Sequence, residues 1–157
     1  MDLLKFDHNQ DDNTENQTKE RPFILAVDDH EDSRVLITHF LDFLGFVNLS
    51  TSNAQQAYLM AQKYQPDLIF LDIVLPDISG IELHSYLKRN QLTKNITVVA
   101  LTALALTEER EQIIQAGFDD YLVKPYRLEE LEAMLNHHLQ GKFSKIVPHH
   151  NWQQQEA

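Results

Sequence analysis

Asp67-Leu68-Ile69-Phe70-Leu71-Asp72, followed by Ile73-Val74-Leu75-Pro76-Asp77, sets four consecutive apolar residues between two acids, with a proline just beyond. An apolar run this short, holding Ile and Phe, reads as a strand buried on both faces. Asp72 then stands at the strand's carboxyl end, the edge of an open α/β sheet where ligands bind. An acid there, outside a strand that tolerates no charge, points to function. The other elements are expected to place groups around it.

Upstream, Phe23-Ile24-Leu25-Ala26-Val27 is a second apolar run and ends in Asp28-Asp29. From Ser33 to Leu44 the apolar residues Leu36, Phe40, Phe43 and Leu44 have helical spacing, and Gly45 stops the helix as a C′ glycine. Phe46-Val47-Asn48-Leu49-Ser50 reads as a short strand. Ala54, Ala57, Tyr58, Ala61 and Tyr64 continue the helical period behind Asn53, a good N-cap. Downstream, a loop through Pro76 to Gly80 leads into a helix over Ile81 to Arg89, with Leu83 and Leu87 on one face. Ile96-Thr97-Val98-Val99-Ala100-Leu101 is rich in β-branched residues and ends at Thr102. Thr107-Glu108-Glu109-Arg110 starts a helix with acids in its first turn, running to Gly117. Asp120-Tyr121-Leu122-Val123 is the last strand, ending at Lys124-Pro125, and Leu128, Leu131, Leu135 and Leu139 mark a final helix. Strands alternating with helices predict right-handed βαβ units and a five-stranded parallel sheet.

The chain has 157 residues, 43% hydrophobic and 24% charged, enough for one ordinary domain. Residues 1–21 read as a disordered acidic and polar tail, 22–139 as the folded domain, and 140–157 as a polar tail without an output domain. A net charge of −11 argues against direct nucleic-acid binding, which needs a basic footprint. The absence of cysteine excludes disulfides, thiolate metal sites and Cys nucleophiles. No apolar stretch is long enough for a membrane span, and the first residues lack the plan of a secretory signal, so a cytoplasmic protein is expected. The pairs His137-His138 and His149-His150 invite a metal reading. Consecutive helical positions do not face one another, so solvated rings are expected.

The strand ends offer Asp28 and Asp29 after the first, Asp72 after the third, Thr102 after the fourth and Lys124 after the fifth. Parallel strands bring these ends to one edge of the sheet. Two like charges at 4 Å repel by roughly 4 kcal/mol at an effective dielectric of about 20, which drives protons back onto the acids. One lysine does not neutralise three carboxylates. A divalent cation does, and all-oxygen donors suit Mg²⁺ (or Mn²⁺). A carboxylate beside such a cation, a lysine and a hydroxyl also meets the needs of phosphoryl transfer. Asp72, on the central strand with partners on either side, is the candidate nucleophile that would form an acyl phosphate.

From about Pro22 to Leu139 the chain resembles the receiver domain of two-component response regulators. The marks are Val27-Asp28-Asp29, Asp72-Ile73-Val74-Leu75-Pro76 with Gly80, Ala100-Leu101-Thr102-Ala103, and Tyr121-Leu122-Val123-Lys124-Pro125. Each is weak alone; together, in this order and spacing, they are highly specific. The resemblance implies a flavodoxin-like (βα)5 fold with strand order 2-1-3-4-5 and helices on both faces. It implies that Asp72 accepts a phosphoryl group from the phosphohistidine of a sensor histidine kinase or a histidine phosphotransfer protein. Asp29, Asp72 and the Val74 carbonyl would ligate Mg²⁺ directly, and Asp28 largely through water. Lys124 and Thr102 would contact the phosphoryl group. Tyr121 would change rotamer as Thr102 moves, altering the face of the fourth helix, fifth strand and fifth helix, where a downstream protein docks or a phosphorylation-linked homodimer forms. Lys124-Pro125 is expected to be a cis peptide.

Leu75 stands where methionine is more frequent in this family, and Tyr126 where phenylalanine is common; both are tolerable. Val74 and Leu104 flank the path of attacking water in the family and are apolar here, so a long-lived aspartyl phosphate is expected. The chain is therefore read as a single-domain response regulator, not an enzyme beyond its own phosphoryl transfer and slow autodephosphorylation. The sequence does not separate a relay intermediate from a terminal output. A constitutive docking module would not need the full set of Asp28, Asp29, Asp72, Thr102 and Lys124. An aspartyl phosphohydrolase of haloacid-dehalogenase type wants an acid at position 74, which is valine. Dinucleotide binding needs a glycine-rich first turn in place of Asp28-Asp29-His30-Glu31-Asp32.

Overall fold

The run Leu68–Asp72 is the middle strand of a five-stranded parallel sheet, and all five of its residues are buried. A computed structural model describes residues 21–103 and 107–140. Its elements alternate as β1 Phe23–Val27, α1 Glu31–Phe43, β2 Val47–Thr51, α2 Ala54–Tyr64, β3 Leu68–Asp72, α3 Gly80–Arg89, β4 Thr97–Thr102, α4 Thr107–Ala116, β5 Asp120–Val123 and α5 Leu128–Leu139. The strand order is β2-β1-β3-β4-β5, the flavodoxin-like order expected from the sequence.

Alternation along the strands divides the interior into two apolar layers. Ile24, Ala26, Leu68, Phe70, Val99, Leu101 and Leu122 pack with Ile37, Leu41 and Leu44 near α1 and with Leu131, Leu135 and Leu139 of α5. Leu25, Val27, Ile69, Leu71, Val98 and Ala100 pack with the alanines of α2, Leu83 and Leu87 of α3, and Ile113 of α4. A central strand that faces helices on both sides has no solvent side, which is why β3 reads as an unbroken apolar run.

The helix ends follow local chemistry. The Asn53 side chain accepts from the Gln56 N–H and the Ser79 hydroxyl from the Glu82 N–H. Asp77 reaches across from the β3–α3 loop to accept from the N–H groups of Ala54 and Gln55. Partial burial works against its charge, but these donors outweigh it and hold Asp77 below the usual carboxylate range. Gly45 adopts φ 85° just after α1, the left-handed conformation that the C′ position requires.

Three expectations are corrected. In α1 the buried side chains are Ile37 and Leu41; Phe40 and Leu44 pack against the same core as expected, but Leu36 is 45% and Phe43 55% exposed. Both stripes have helical spacing, and spacing alone does not say which of two adjacent faces meets the sheet. Strand β2 lies one residue later than its hydrophobic run suggests, so Thr51 closes it, and β4 starts one residue later, at Thr97, while ending at Thr102 as expected. His138 is not a solvated ring: its side chain is 14% exposed and Nε2 lies 2.9 Å from Asp120 Oδ2. The His137 and His138 rings meet edge to face, centroids 4.8 Å apart. The tails at 1–20 and 141–157, with His149 and His150, lie outside the described residues. Among the described residues no helix is long and apolar enough to cross a membrane.

His84 of α3 is buried and stacked on Phe118, ring centroids 4.1 Å apart, and its Nε2 has no hydrogen-bond partner among the described residues. Burial, with help from Lys88 and against the pull of Asp119, lowers its pKa from 6.5 to about 4. The folded state therefore resists protonation. The contribution is fully present above pH 6.5 and is lost as the pH falls from there toward 4. Between pH 7.5 and pH 5 the wild type should lose about 2 kcal/mol more stability than His84→Leu, at 1.36 kcal/mol per pH unit. Urea unfolding at the two pH values reads this directly, and equal losses would remove His84 as the cause.

Candidate functional site

The carboxyl ends of β1, β3, β4 and β5 converge on a cavity of about 220 Å³ lined by Asp29, His30, Ser33, Asp72, Ile73, Val74, Thr102, Ala103, Glu109 and Lys124. Asp28 follows β1 and is fully buried, Asp29 is half-buried, Asp72 ends β3 and Thr102 ends β4, both buried. Their strands are hydrogen-bonded neighbours, so convergence follows from the topology.

Lys124 lies between two of the acids. Its ammonium donates to Asp28 Oδ2 at 2.7 Å and to Asp72 Oδ2 at 2.8 Å. The remaining oxygens accept from backbone: Asp28 Oδ1 from the His30 N–H and Asp72 Oδ1 from the Val74 N–H, each at 3.0 Å. Arg34 of α1 donates to the Asp28 carbonyl. Burial pushes Asp72 up, outweighing Lys124 and the Val74 N–H, which pull it down; Asp28 adds to the rise. For Lys124 burial disfavours the charge, but the two carboxylates prevail and hold its pKa above the ordinary value. Burial, with Asp28 and Asp72 nearby, pushes the Tyr126 hydroxyl up as well.

The three acids also form a candidate site for a divalent cation. Asp28, Asp29 and Asp72 each offer an oxygen within 4.8 Å of the others. Asp29 Oδ1 is buried and accepts no hydrogen bond among the described residues. An orphaned buried carboxylate oxygen is costly to leave unsatisfied. Hard oxygen donors at this separation fit Mg²⁺ or Mn²⁺.

Of the other residues singled out from the sequence, Val74 lies at the cavity mouth, 69% exposed. Tyr121 is half-buried on β5, with the Arg110 guanidinium 5.9 Å from its ring centroid. The Lys124-Pro125 peptide is cis. Leu104 lies outside the described residues. Sequence reasoning misses two residues. Glu109 reads only as a first-turn acid suited to the helix dipole, yet Thr102 Oγ1 donates to its Oε2 at 3.5 Å. Asp77 was a loop residue in sequence; nothing local announced that it caps α2.

Comparison with known proteins points the same way. The family model for the response regulator receiver domain matches residues 24–136. The phosphate regulon transcriptional regulatory protein PhoB of Pseudomonas aeruginosa is 42% identical over 112 residues, 71% of this chain, which spans only 49% of that relative's length. The polar-differentiation response regulator DivK of Brucella anthropi is 34% identical over 102 residues, covering 65% of this chain and 83% of DivK. Among solved structures, the receiver domain of the sensor histidine kinase PA1611 of P. aeruginosa, with a magnesium ion coordinated in its active-site cleft, superposes with a TM-score of 0.72. It is 30% identical and covers 76% of this chain and 98% of its own. The matched residues take in every strand but for Phe23, the first residue of β1, and every acid at the sheet edge. The chain belongs to the response regulator receiver domain family.

Proposed function

We propose that Asp72 is the phosphoacceptor of a two-component signalling protein, taking its phosphoryl group from a sensor histidine kinase or a histidine phosphotransfer protein. The observation that carries this reading is the Lys124 ammonium shared between Asp28 and Asp72 at the mouth of the acidic cavity. In the transfer an Asp72 carboxylate oxygen attacks phosphorus as the P–N bond of the phosphohistidine breaks. The electron pair leaves with the imidazole nitrogen, and an acyl phosphate remains. Asp28, Asp29, Asp72 and the Val74 carbonyl would hold Mg²⁺ (or Mn²⁺), which when bound neutralises charge on the phosphoryl oxygens. Lys124 swings from the carboxylates onto one phosphoryl oxygen, and the Thr102 hydroxyl donates to another.

The output is a change of docking surface. Thr102 and Tyr121 lie on neighbouring strands, paired through Thr102 with Val123 and Ala100 with Tyr121. A shift of Thr102 toward the phosphoryl group opens space for the Tyr121 ring, and the face of α4, β5 and α5 changes for a downstream protein or a second copy. The chemistry is that of a signalling protein acting on itself, as relay intermediate or terminal output.

Intact-mass spectrometry after incubation with acetyl phosphate and Mg²⁺ tests the reading. One added phosphoryl group is expected, labile to hydroxylamine and lost with chelator or with Asp72→Asn. Well-folded protein with no adduct, and no rise in melting temperature with Mg²⁺, would favour a constitutive docking module. Val74 at the cavity is apolar and offers attacking water no hydrogen bond, and the leucine at position 104 carries no polar group to supply one. Val74→Asn with Leu104→Glu should shorten the phosphate lifetime about tenfold, a modest share of what positioning a reactant supplies. An unchanged decay rate sinks the idea.

A further inference from the structure

We infer that Glu109 is a positioning residue for the switch: its carboxylate holds the Thr102 hydroxyl in the resting protein, and that contact must break before α4 can move. The inference rests on Asp72 being the phosphoacceptor. Glu109 lines the same cavity as Asp72 and Lys124, and its Oε2 accepts from Thr102 Oγ1 at 3.5 Å. Hydroxyl hydrogen bonds ordinarily lie near 2.7–2.8 Å. The contact is long, and a phosphoryl oxygen at ordinary distance takes the hydroxyl from it.

The consequence of losing the contact depends on how α4 is otherwise held. Ile113 is the sole buried side chain of α4, whereas α2 buries Ala54, Ala57 and Ala61, and α5 buries Leu131, Glu132, Leu135 and Leu139. A helix with one buried anchor relies on its polar contacts for position. The residue after Glu109 supplies a second one: Arg110 lies 5.9 Å from the Tyr121 ring centroid, within cation–π range. Consecutive residues of α4 thus touch Thr102 and Tyr121, the two groups that the switch must move. Resting protein is the latched state. Phosphorylation competes for Thr102, removes the first tie and leaves α4 and Tyr121 free to move together.

The test is the rate of phosphoryl uptake from acetyl phosphate with Mg²⁺, for wild type, Glu109→Ala, Glu109→Gln, Thr102→Ala and the double variant Glu109→Ala/Thr102→Ala. Glu109→Ala should accelerate uptake about twofold, the low end of what one hydrogen bond contributes, because the contact is long. Glu109→Gln keeps an acceptor oxygen and should fall between it and wild type. In the Thr102→Ala background Glu109→Ala should have no effect, because the donor is gone. Hydrogen exchange of α4 amides in the unphosphorylated protein should rise in Glu109→Ala and in Thr102→Ala. Equal acceleration by Ala and Gln, or acceleration that persists without Thr102, would mean that charge alone acts and overturns the latch. So would no acceleration. If wild type takes up no phosphoryl group, the reading of Asp72 falls and the latch with it; if it does and Glu109→Ala is no faster, the latch alone falls.

Discussion

Lys124→Met should slow phosphoryl uptake about 100-fold and, in chelator, lower stability by about 3 kcal/mol. The two losses share a cause. In the resting protein the ammonium neutralises Asp28, fully buried, and Asp72, nearly so, at 2.7 and 2.8 Å. Removing it leaves two buried carboxylates facing one another without a counter-charge, and breaking a buried pair from one side is far more damaging than never having made it. Methionine keeps most of the aliphatic length, so lost packing is a small part of the change. The charge argument makes a further demand. A divalent cation added to the variant should restore more stability than it adds to wild type, since its affinity rises where a competing cation has gone. Chemical denaturation with and without Mg²⁺ measures both. Equal Mg²⁺ stabilisation of the two proteins would assign the effect to the stem of Lys124 and not to its charge.

The strand ends were readable because each polar residue there interrupts an apolar run that leaves it no other place to be. Asp28, Asp72, Thr102 and Lys124 sit where β1, β3, β4 and β5 stop, and parallel order does the rest. Residues whose partners are far off in sequence and whose own surroundings look ordinary were not readable. Glu109 has the composition of any first-turn acid, and its contact with Thr102 depends on the angle at which α4 leaves the sheet. Asp77 caps a helix that precedes it by more than twenty residues. His84 occupies an interior position of α3 that spacing marks only as inward-facing, and its neighbour Phe118 belongs to the turn before β5. In α1 the periodicity is right and the face half right: Phe40 and Leu44 meet the core as the spacing predicts, while Ile37 and Leu41, not Leu36 and Phe43, complete the buried stripe. Pattern gives the element. Which side of it meets the sheet is decided by the crossover geometry, which no single window contains.

Gly80→Ala should lower stability by about 3 kcal/mol, at the upper end of ordinary overpacking penalties, and reduce phosphoryl uptake as well. Gly80 opens α3 directly after Ser79, and its N–H donates to the Ile73 carbonyl at 2.8 Å. A Cβ there would collide with the Asp72 carbonyl oxygen and lie 2.8 Å from Ile73 Cα, both backbone atoms with no rotamer to change. One side of the contact must shift by about 1 Å to restore van der Waals distance. The Asp72 side is the worse candidate, because β3 is central and the Ile73 N–H is bonded to the Leu101 carbonyl of β4. Moving α3 instead drags Leu83 and Leu87 out of register with the core they fill. Either way the backbone carrying the Asp72 carboxylate and the Val74 N–H that steadies it is disturbed. Gly117→Ala is the control that separates sterics from backbone preference. Gly117 has φ +90° but, among the described residues, only the His84 ring within 4 Å of a Cβ, at 3.8 Å. Its penalty is conformational, about 1–2 kcal/mol, and lies away from the acids, so phosphoryl uptake should stay near wild type. Melting temperature and uptake rate measured together on both variants decide the matter. Gly80→Ala as stable as wild type would mean that the close approach of α3 to the Asp72 backbone is not part of the native packing.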